Sequence, residues 1–518
     1  MVLNKFSKKY IFLCFMSFIF SSSVYAQNPS NIDSIINNTV QPFTAIVSKI
    51  IFFTVPIFGA DLPLVVLWLI VGAIFFTGYF KFINIRGFKH SIRLTRGDYS
   101  NPSDPGEVSH FQALTAAVSG TVGIGNIGGV AVAISIGGPG ATFWLIVAGL
   151  LGMSTKFVEC ALGTLYRKEN PDGTVSGGPM YYLENGLKEQ GLIKLGRFMA
   201  KFYAIGIVIG CFGIGNMFQS NQAYVQFVNV TGGLNESWFN DKGWFFGLII
   251  ASVVGIVIIG GIKSIAKVTE KLVPFMAIFY VISALIIIMM NYEALPFAVL
   301  AIIDGAFAPE AMAGSALGVM IIGFQRAAFS NEAGIGSAAI AHSAVKTSEP
   351  ITEGYVGLLE PFIDTVVICT VTALVITTTT YYDPYLSSGL GGIEMTSAAF
   401  ERNISWSPYV IAISAILFAF STMIAWSYYG LKGWTYLVGE SRSADLSFKT
   451  VYCIFIIIGC SIQLNAILDF SDALVFFICI PNILGLYILA PVLKEKLNDY
   501  DKRLITGKIK NYRKISED

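Results

Sequence analysis

Residues 119–129 read SGTVGIGNIGG, which places five glycines among eleven residues of an apolar stretch. No charged or histidine side chain occurs from Phe111 to Thr155, so this region is predicted to cross a membrane as a helix. Glycine weakens a helix, and irregular backbone survives in lipid only where it is buried in protein or lines a cavity. The segment therefore indicates either close helix packing or a helix that is interrupted to expose its backbone to a ligand.

The pattern favours the interruption, because the glycines do not stay on one helical face and three polar residues, Ser119, Thr121 and Asn126, accompany them. A similar segment, GFQRAAFSNEAGIGS, occupies residues 323–337. The two segments fall in the second and seventh predicted spans, which run in opposite directions. Two broken helices in this relation are typical of secondary transporters with inverted repeats, where half-helix ends bind an anionic group and freed carbonyls coordinate a cation.

The composition agrees with a membrane protein, since 54% of the 518 residues are hydrophobic and only 13% are charged. Nearly charge-free segments long enough to span a bilayer recur eleven times. They lie at about 62–80, 112–135, 141–165, 202–229, 244–262, 272–290, 313–341, 361–382, 408–431, 450–468 and 473–493. The sequence thus predicts an all-α membrane protein with eleven transmembrane helices after a signal peptide.

The N-terminus has the layout of a secretory signal peptide over residues 1–26, cleaved after Ala26, with an uncleaved signal anchor as the alternative. Residues 27–60 would then be an extracytoplasmic segment. The loops on one side and the C-terminal tail carry 26 Lys and Arg residues, whereas the other side carries only Lys49, Lys242 and Arg402. This asymmetry predicts a multi-pass protein of the cytoplasmic (inner) membrane, with its N-terminus outside and its C-terminus in the cytoplasm.

Residues 61–493 are predicted to form one transporter domain, followed by a basic cytoplasmic tail over residues 494–518. Within the domain we expect an extra helix at 61–83, a first repeat at 111–291 and a second repeat at 311–493. The net charge of +1 indicates no nucleic-acid partner, and no obligate protein partner is evident. The seven cysteines fit neither a zinc site nor a disulfide framework, so we interpret them as small hydrophobic residues.

Polar residues in two other spans support a shared cavity. Asn216, Gln219, Gln222 and Gln226 recur at spacings of three and four and form one helical stripe. Ser421 and Thr422 lie beside Trp426 on a later span, and a hydroxyl pair within a membrane can ligate a small hard cation. The alternative is that these hydroxyls bond back to carbonyls of their own helix.

Charged residues within spans are costly and usually functional. Arg326 and Glu332 in the second interruption and Asp364 at a span entrance are candidate gate residues, and a cytoplasmic gate of ion pairs is expected in the interrupted segment. Lys156 and Glu159 are three residues apart and could simply pair. The histidines lie in or beside predicted loops, so the sequence indicates no buried His or Asp chain and disfavours proton coupling.

Seven motifs in order resemble the alanine or glycine:cation symporter family, also called the sodium:alanine symporter family. They are FQALTAAVSGTVGIGNIGGVA from Phe111, GGPGATFW from Gly137, GGPMYYLENGL from Gly177, GIGNMFQSN from Gly213, GGIKSIAKVTEKLVPFMAIFY from Gly260, FSNEAGIGSAAIA from Phe329 and STMIAWSYYGLKGW from Ser421. The resemblance runs from about residue 60 to about residue 493. It implies a leucine-transporter-like fold with a 5+5 inverted repeat, two discontinuous helices and one extra N-terminal span.

The same resemblance implies sodium-driven uptake of a small neutral amino acid, with Na⁺ as the coupling ion and no organic cofactor. The implied substrate-binding residues are Thr121, Gly123, Gly125, Asn126, Asn216, Gln219, Gly323, Phe324, Thr422 and Trp426. The implied sodium ligands are Val118, Gly120, Asn126, Ser421 and Thr422. The second interruption, around Gly323 and Phe324, would face the amino group and side chain of the substrate.

The main functional hypothesis is therefore a secondary active transporter that imports alanine- or glycine-type amino acids with sodium by alternating access. A proton-coupled amino-acid carrier, and a gated channel or substrate-sensing receptor on the same fold, are the alternatives. An ATP-driven pump and a membrane enzyme are not supported, because the sequence contains no phosphate-binding loop of the Walker A type and no nucleophile–base pair at membrane depth. Membrane lipid is the remaining expected partner.

Overall fold

The computed structural model describes residues 45–57, 60–307, 316–382, 390, 392–461 and 465–512. The predicted signal peptide at 1–26 lies outside the described residues, as does the segment 27–44. Of the predicted extracytoplasmic segment, residues 45–51 are helical and a short antiparallel ribbon follows, formed by β1, Thr54–Ile57, and β2, Ala60–Pro63. A second ribbon joins β3, Lys168–Glu169, to β4, Val175–Ser176.

The rest of the described chain is mainly helical, and its principal helices are labelled α1 to α16. They are α1 Leu64–Tyr79, α2 Phe88–Thr95, α3 His110–Thr121, α4 Gly125–Gly137, α5 Ala141–Leu165, α6 Ile193–Val230, α7 Gly243–Ile259, α8 Gly261–Met290, α9 Leu295–Phe307, α10 Ala316–Asn331, α11 Ala338–His342, α12 Pro350–Thr380, α13 Ile393–Glu401, α14 Pro408–Val438, α15 Arg442–Ser461 and α16 Asn465–Ile505. Short helical turns lie at Ile83–Arg86, Pro179–Tyr181, Leu187–Glu189, Gly233–Glu236 and Tyr292–Ala294.

Several of these helices are suited to lipid by length and composition. Among the described residues, seven helices are long and apolar enough to cross a membrane, or eight when the bent pair α3 and α4 counts as one span. Two shorter apolar helices, α1 and α7, add to these. The chain is thus a multi-pass, mostly helical membrane protein, whereas the predicted number of eleven spans stays a prediction.

The first predicted interruption separates α3 from α4, whose axes differ by 54°. A capping box starts α3, because the Ser109 hydroxyl accepts from the Gln112 amide while the Gln112 side chain accepts from the Ser109 amide. The helix ends at Thr121, and Val122 is extended with φ −74° and ψ 94°. The first turn of α4, Gly125–Gly129, is π-helical, a local distortion that is frequent at functional sites.

The second interruption lies over residues 332–337, between α10 and α11. Glu332, Gly334 and Gly336 have φ values of 56°, 94° and 87°, so the chain turns through left-handed conformations there. The prediction that Gly323 and Phe324 form part of this interruption was wrong, since α10 continues through both residues. Gly323 instead allows α10 to approach α5, because a Cβ atom at this position would lie 2.6 Å from the Trp144 Cβ.

Two further helices are distorted near the same level of the fold. A π-helical segment occupies Gly213–Phe218 within α6, and another occupies Phe362–Cys369 within α12. Helix α5 packs against α10 and α12, while α14 packs against α6 and α3. The core between these helices contains buried polar and charged side chains as well as apolar ones, which separates it from an ordinary hydrophobic core.

Candidate functional site

The bend after α3 frees backbone amides that side chains then satisfy. The Gly123 amide donates to Asn126 Oδ1 at 2.8 Å, and the Ile124 amide donates to Gln219 Oε1 at 3.3 Å. Both amides belong to the start of the half-helix α4, where backbone N–H groups have no helical acceptor. Side-chain oxygens thus occupy both amides in this structure, and Gln219 on α6 lies directly beside them.

Asn126 connects this bend to the second half of the chain. Its Nδ2 atom donates to Asp364 Oδ1 at 2.6 Å on α12 and to Ser330 Oγ at 3.1 Å on α10. Ser330 and Thr365 donate their hydroxyls to Asp364 Oδ2 at 2.7 Å and 2.8 Å. Asn126, Ser330, Asp364 and Thr365, here called the Asp364 cluster, are all buried. The cluster brings a carboxylate, two hydroxyls and a carboxamide to the point where the two interruptions meet.

The hydroxyl pair predicted on α14 also reaches the first interruption. Ser119 Oγ donates to the Ser421 carbonyl at 3.0 Å, and Ser421 Oγ lies 3.5 Å from the Ser119 carbonyl. Thr422 Oγ1 lies 3.5 Å from the Val122 carbonyl. The shorter hydrogen bond of Ser421 Oγ, at 2.9 Å, goes to the Phe418 carbonyl of its own helix. The back-bonding alternative is thus realised for Ser421, and its hydroxyl still faces α3.

The carbonyls beside this hydroxyl pair differ from those expected. Ser421 and Thr422 approach the carbonyls of Ser119 and Val122, whereas Val118 and Gly120 accept hydrogen bonds from other groups. The Val118 carbonyl accepts from Thr121 Oγ1 at 3.2 Å, and the Gly120 carbonyl accepts from Trp426 Nε1 at 3.2 Å.

Trp426 joins the two interruptions from α14. Its Nε1 atom donates both to the Gly120 carbonyl and, at 3.1 Å, to Glu332 Oε1. The indole is fully buried, and it lies so close to α6 that a Cβ atom at Gly215 would be 2.3 Å from the Trp426 Cβ. Gly215 is therefore the position at which α6 makes room for this side chain.

The polar stripe of α6 divides between two roles. Gln219 faces the first interruption and donates its Nε2 to the Ile214 carbonyl at 3.2 Å. Asn216 faces α15 instead and donates to the Tyr452 carbonyl at 2.8 Å. Asn216 Nδ2 therefore helps to hold α6 against α15, while Gln219 belongs to the site.

Phe329 is one of the aromatic residues that face the first interruption. A Cβ atom at Gly125 would lie 3.6 Å from its ring. Phe324, the predicted candidate, packs instead toward Trp144, with ring centroids 6.4 Å apart. The available signal was the position of Phe329 directly before Ser330 and Asn331, at the end of α10.

Within the described part of the chain, Arg326 and Glu332 do not supply the ion pairs that were expected in the interrupted segment. Among the residues that the structure describes, neither Arg326 nor Glu332 takes part in an ion pair, and the Glu332 carboxylate accepts hydrogen bonds from Ser337 and Trp426. Lys156 and Glu159 do not pair either: Lys156 Nζ contacts Glu360 Oε1 at 2.8 Å, and Glu159 Oε1 accepts from Asn482 at 2.8 Å.

Two histidines lie beside loops, as expected, since His110 begins α3 and His342 ends α11, but both are buried. His110 and His342 are fully buried, and their Nδ1 atoms both contact the carboxylate of Glu353. The structure therefore contains a buried His–Glu–His arrangement at the ends of two helices, and the expectation about proton coupling stays a prediction.

Comparison with known proteins places most of the chain in a family of transporters. A sequence model of the sodium:alanine symporter family matches residues 44–514. The sodium/alanine symporter AgcS of Methanococcus maripaludis is 35% identical over 85% of this chain and 94% of its own length. The probable sodium/glutamine symporter GlnT of Bacillus subtilis is 34% identical over 86% of this chain and 89% of its own length.

The fold has a counterpart among solved structures. The crystal structure of MhsT in complex with L-phenylalanine aligns with a TM-score of 0.53 and 16% sequence identity. The alignment covers 74% of this chain and 89% of that chain. At this level of identity the likeness concerns the leucine-transporter-like fold alone.

Proposed function

This chain belongs to the sodium:alanine symporter family, and on that premise we propose that it imports a small neutral amino acid together with sodium by alternating access. The observation that carries the proposal is the Asp364 cluster, in which one residue of the first interruption, Asn126, contacts both α10 and α12. A buried carboxylate surrounded by oxygen-bearing side chains suits a hard monovalent cation. The site is also next to freed amides that suit a carboxylate.

The first proposed sodium position is the Asp364 cluster itself. Its Asp364 carboxylate and the hydroxyls of Ser330 and Thr365 supply oxygen ligands. Asn126 turns its Nδ2 toward Asp364 in the structure, and a half-turn of this amide presents Oδ1 to a bound cation. Buried charge in a membrane interior is expensive, so a cation that neutralises Asp364 stabilises the cluster.

The second proposed sodium position lies between α3 and α14. It uses the hydroxyls of Ser421 and Thr422 with the carbonyls of Ser119 and Val122, which lie 3.5 Å from these hydroxyls. A sodium ion between these atoms replaces weak hydrogen bonds with ion–dipole contacts. The position would also fix α14 against the end of α3, directly before the bend.

The substrate position is proposed at the start of α4. The amides of Gly123 and Ile124 would exchange their present acceptors for the carboxylate of an amino acid. Phe329 and Trp426 border this region and limit the length of the substrate side chain, which favours a small amino acid. A carboxylate bound here also lies beside the Asp364 cluster through Asn126, so ion binding and substrate binding share one residue.

This sharing gives a physical basis for coupling. Sodium that orders Asn126 also prepares the amides that Asn126 and Gln219 now occupy, so each ligand increases the affinity for the other. The membrane potential then contributes about 2.3 kcal/mol per charge per 100 mV to uptake.

The direct test is uptake by the purified full-length chain in proteoliposomes. With an inward sodium gradient we expect alanine or glycine to accumulate above equilibrium, and replacement of sodium by choline should abolish accumulation. Asn126→Ala should abolish it as well, whereas Ser252→Ala, which removes an exposed hydroxyl bonded to its own helix, should not. Glutamine and larger neutral amino acids in the same assay define the size limit.

Other outcomes identify the rival functions. Accumulation that follows an inward proton gradient without sodium would indicate a proton-coupled carrier. Flux that equilibrates without accumulation would indicate a channel, and saturable binding without flux would indicate a receptor. Any of these three results would contradict sodium-coupled import.

A further inference from the structure

A second group of polar side chains lies outside the Asp364 cluster, where α5, α11 and α12 meet. Cys160 on α5, His342 at the end of α11 and Glu360 on α12 are each fully buried. One ligand atom from each of the three lies within 4.8 Å of the other two. A thiol, an imidazole and a carboxylate at such distances are the ligand types of a transition-metal site.

Two of these ligands have an atom that nothing else satisfies. Neither His342 Nε2 nor Glu360 Oε2 has a hydrogen-bond partner among the described residues, although both atoms are buried. Buried polar atoms without partners are rare and costly in native proteins, and an unobserved ion is one recognised reason for them. A metal ion ligated by these two atoms would satisfy both of them.

The same two ligands are held by neighbours through their other atoms. Glu353 Oε2 lies 2.5 Å from His342 Nδ1, which assigns the proton to Nδ1 and leaves the lone pair on Nε2. Lys156 Nζ holds Glu360 Oε1 at 2.8 Å and leaves Oε2 free. A carboxylate that orients a ligating histidine is a recurrent outer layer of metal sites.

We propose that Cys160, His342 and Glu360 bind one borderline divalent transition-metal ion of the Zn²⁺ type. A point equidistant from three atoms that are 4.8 Å apart lies about 2.8 Å from each of them. Zn²⁺ bonds to such ligands are roughly 2.0–2.3 Å long, so movements of the three ligand atoms by less than about 1 Å would complete the site. A water molecule would occupy the fourth position of a tetrahedral site.

Protonation and charge are consistent with such an ion. Binding displaces the thiol proton of Cys160, which passes to bulk water, and forms the metal–thiolate bond without any oxidation or reduction. Lys156 is a positive neighbour, but it is outnumbered by the buried carboxylates of Glu159, Glu353 and Glu360. A dication thus adds positive charge to a region in which buried acidic groups predominate.

The location gives the ion a structural consequence. Helix α11 begins directly after the second interruption, and His342 is its last residue. A metal at this site ties α11 to α5 and α12, and so restrains the segment that leads from the interruption. Metal binding is measured separately from uptake, so this inference and the proposed transport function can fail independently.

The test uses purified full-length protein, treated with a chelator and titrated with Co²⁺ as a spectroscopic substitute for Zn²⁺. We expect one Co²⁺ ion to bind per chain and to produce a thiolate-to-cobalt charge-transfer absorption. One equivalent of Zn²⁺ should displace the bound Co²⁺ and remove this absorption. Cys160→Ala should abolish the absorption and weaken binding by at least about tenfold, and Glu353→Gln should weaken it by roughly 10- to 100-fold. Cys211→Ala removes another buried thiol and should change neither.

Thermal unfolding in chelator-containing buffer reports whether each variant is folded, and Cys160→Ser provides a second variant of nearly native size. The proposal is overturned if the wild-type chain binds no stoichiometric metal. It is equally overturned if metal binding and the absorption persist in Cys160→Ala or Cys160→Ser.

Discussion

Asp364→Asn is the substitution that most directly tests the proposed cation position. The carboxylate of Asp364 accepts hydrogen bonds from Asn126, Ser330 and Thr365 at 2.6–2.8 Å. Asparagine has the same shape but no charge, and it has only one acceptor oxygen. One of the three donors would therefore face the new amide nitrogen, at a cost to stability of about 1–3 kcal/mol.

The larger effect should be on sodium. A carboxylate about 2.4 Å from Na⁺ contributes about 7 kcal/mol of Coulomb energy at an effective dielectric constant near 20, most of which offsets dehydration of the ion. The net loss of sodium-binding free energy should be about 1.5–3 kcal/mol, the range for hydrogen bonds to charged groups. Such a loss corresponds to a rise in the half-saturating sodium concentration of roughly 10- to 150-fold.

Two measurements separate the loss of ion binding from damage to the fold. Uptake is measured against sodium concentration, and thermal unfolding is measured with and without sodium. If sodium at 100 times its dissociation constant stabilises the wild-type protein by about 2.7 kcal/mol, a tenfold weaker site retains only about 1.4 kcal/mol at the same concentration. Glu159→Gln is the matched control, because Glu159 is another buried carboxylate, whose partner is Asn482.

The reasoning would be refuted by an Asp364→Asn variant with a normal sodium dependence and a reduced maximal rate. Such a result would assign the carboxylate a purely structural role. An equal change in the sodium dependence of Glu159→Gln would also remove the specific assignment, since it would reflect the general charge of the interior.

Three further predictions concern single positions. Gly123→Ala should abolish uptake by the inserted protein, because the new Cβ atom would lie 2.6 Å from the Thr422 hydroxyl. Gly129→Ala should retain uptake, because no heavy atom lies within 4 Å of its new Cβ atom. Equal loss of uptake in both variants would contradict the steric argument. Trp426→Phe should lower uptake about tenfold, because it removes the N–H group that donates to the Gly120 carbonyl and the Glu332 carboxylate. Unchanged uptake kinetics would show that the indole takes no part in transport. Burial, with a smaller contribution from a nearby arginine, lowers the pKa of His90 to about 4, so this group should destabilise the fold as pH falls from about 6.5 toward 4. Thermal unfolding measured across that pH range should show a smaller loss of stability in His90→Gln than in the wild-type protein. Identical stability profiles of the two proteins would contradict the lowered pKa of His90.

The first interruption could be predicted from sequence because its signal is local. An apolar run with polar residues and glycines on all sides of the helix has few stable alternatives in lipid. The second interruption was misplaced because the function of a glycine depends on what it packs against. Gly323 allows contact with α5 within a continuous helix, whereas Gly334 and Gly336 adopt the positive φ values of the break itself.

The partners of buried polar groups could not be predicted in the same way, since they come from distant parts of the chain. Asn126 and Asp364 are 238 residues apart, and Lys156 and Glu360 are 204 residues apart. Local spacing instead suggested that Lys156 would pair with Glu159, its neighbour on one helix face. In a membrane interior, however, each carboxylate needs its own donor, and the fold supplies Asn482 for Glu159.

The two interruptions are linked from opposite sides, and this arrangement explains how one ligand can affect another. Asn126 joins the first bend to Asp364 and Ser330, while Trp426 joins the Gly120 carbonyl to Glu332. Each link consists of hydrogen bonds, and a bound ion or amino acid would contact the same donor or acceptor groups. Occupying the proposed site would therefore exchange contacts between the broken helices for contacts with ligands, and partial occupancy would leave buried polar groups unsatisfied. Under the proposed function, that penalty would favour states in which the cation and the solute are bound together or both are absent, which is the thermodynamic requirement for coupled transport.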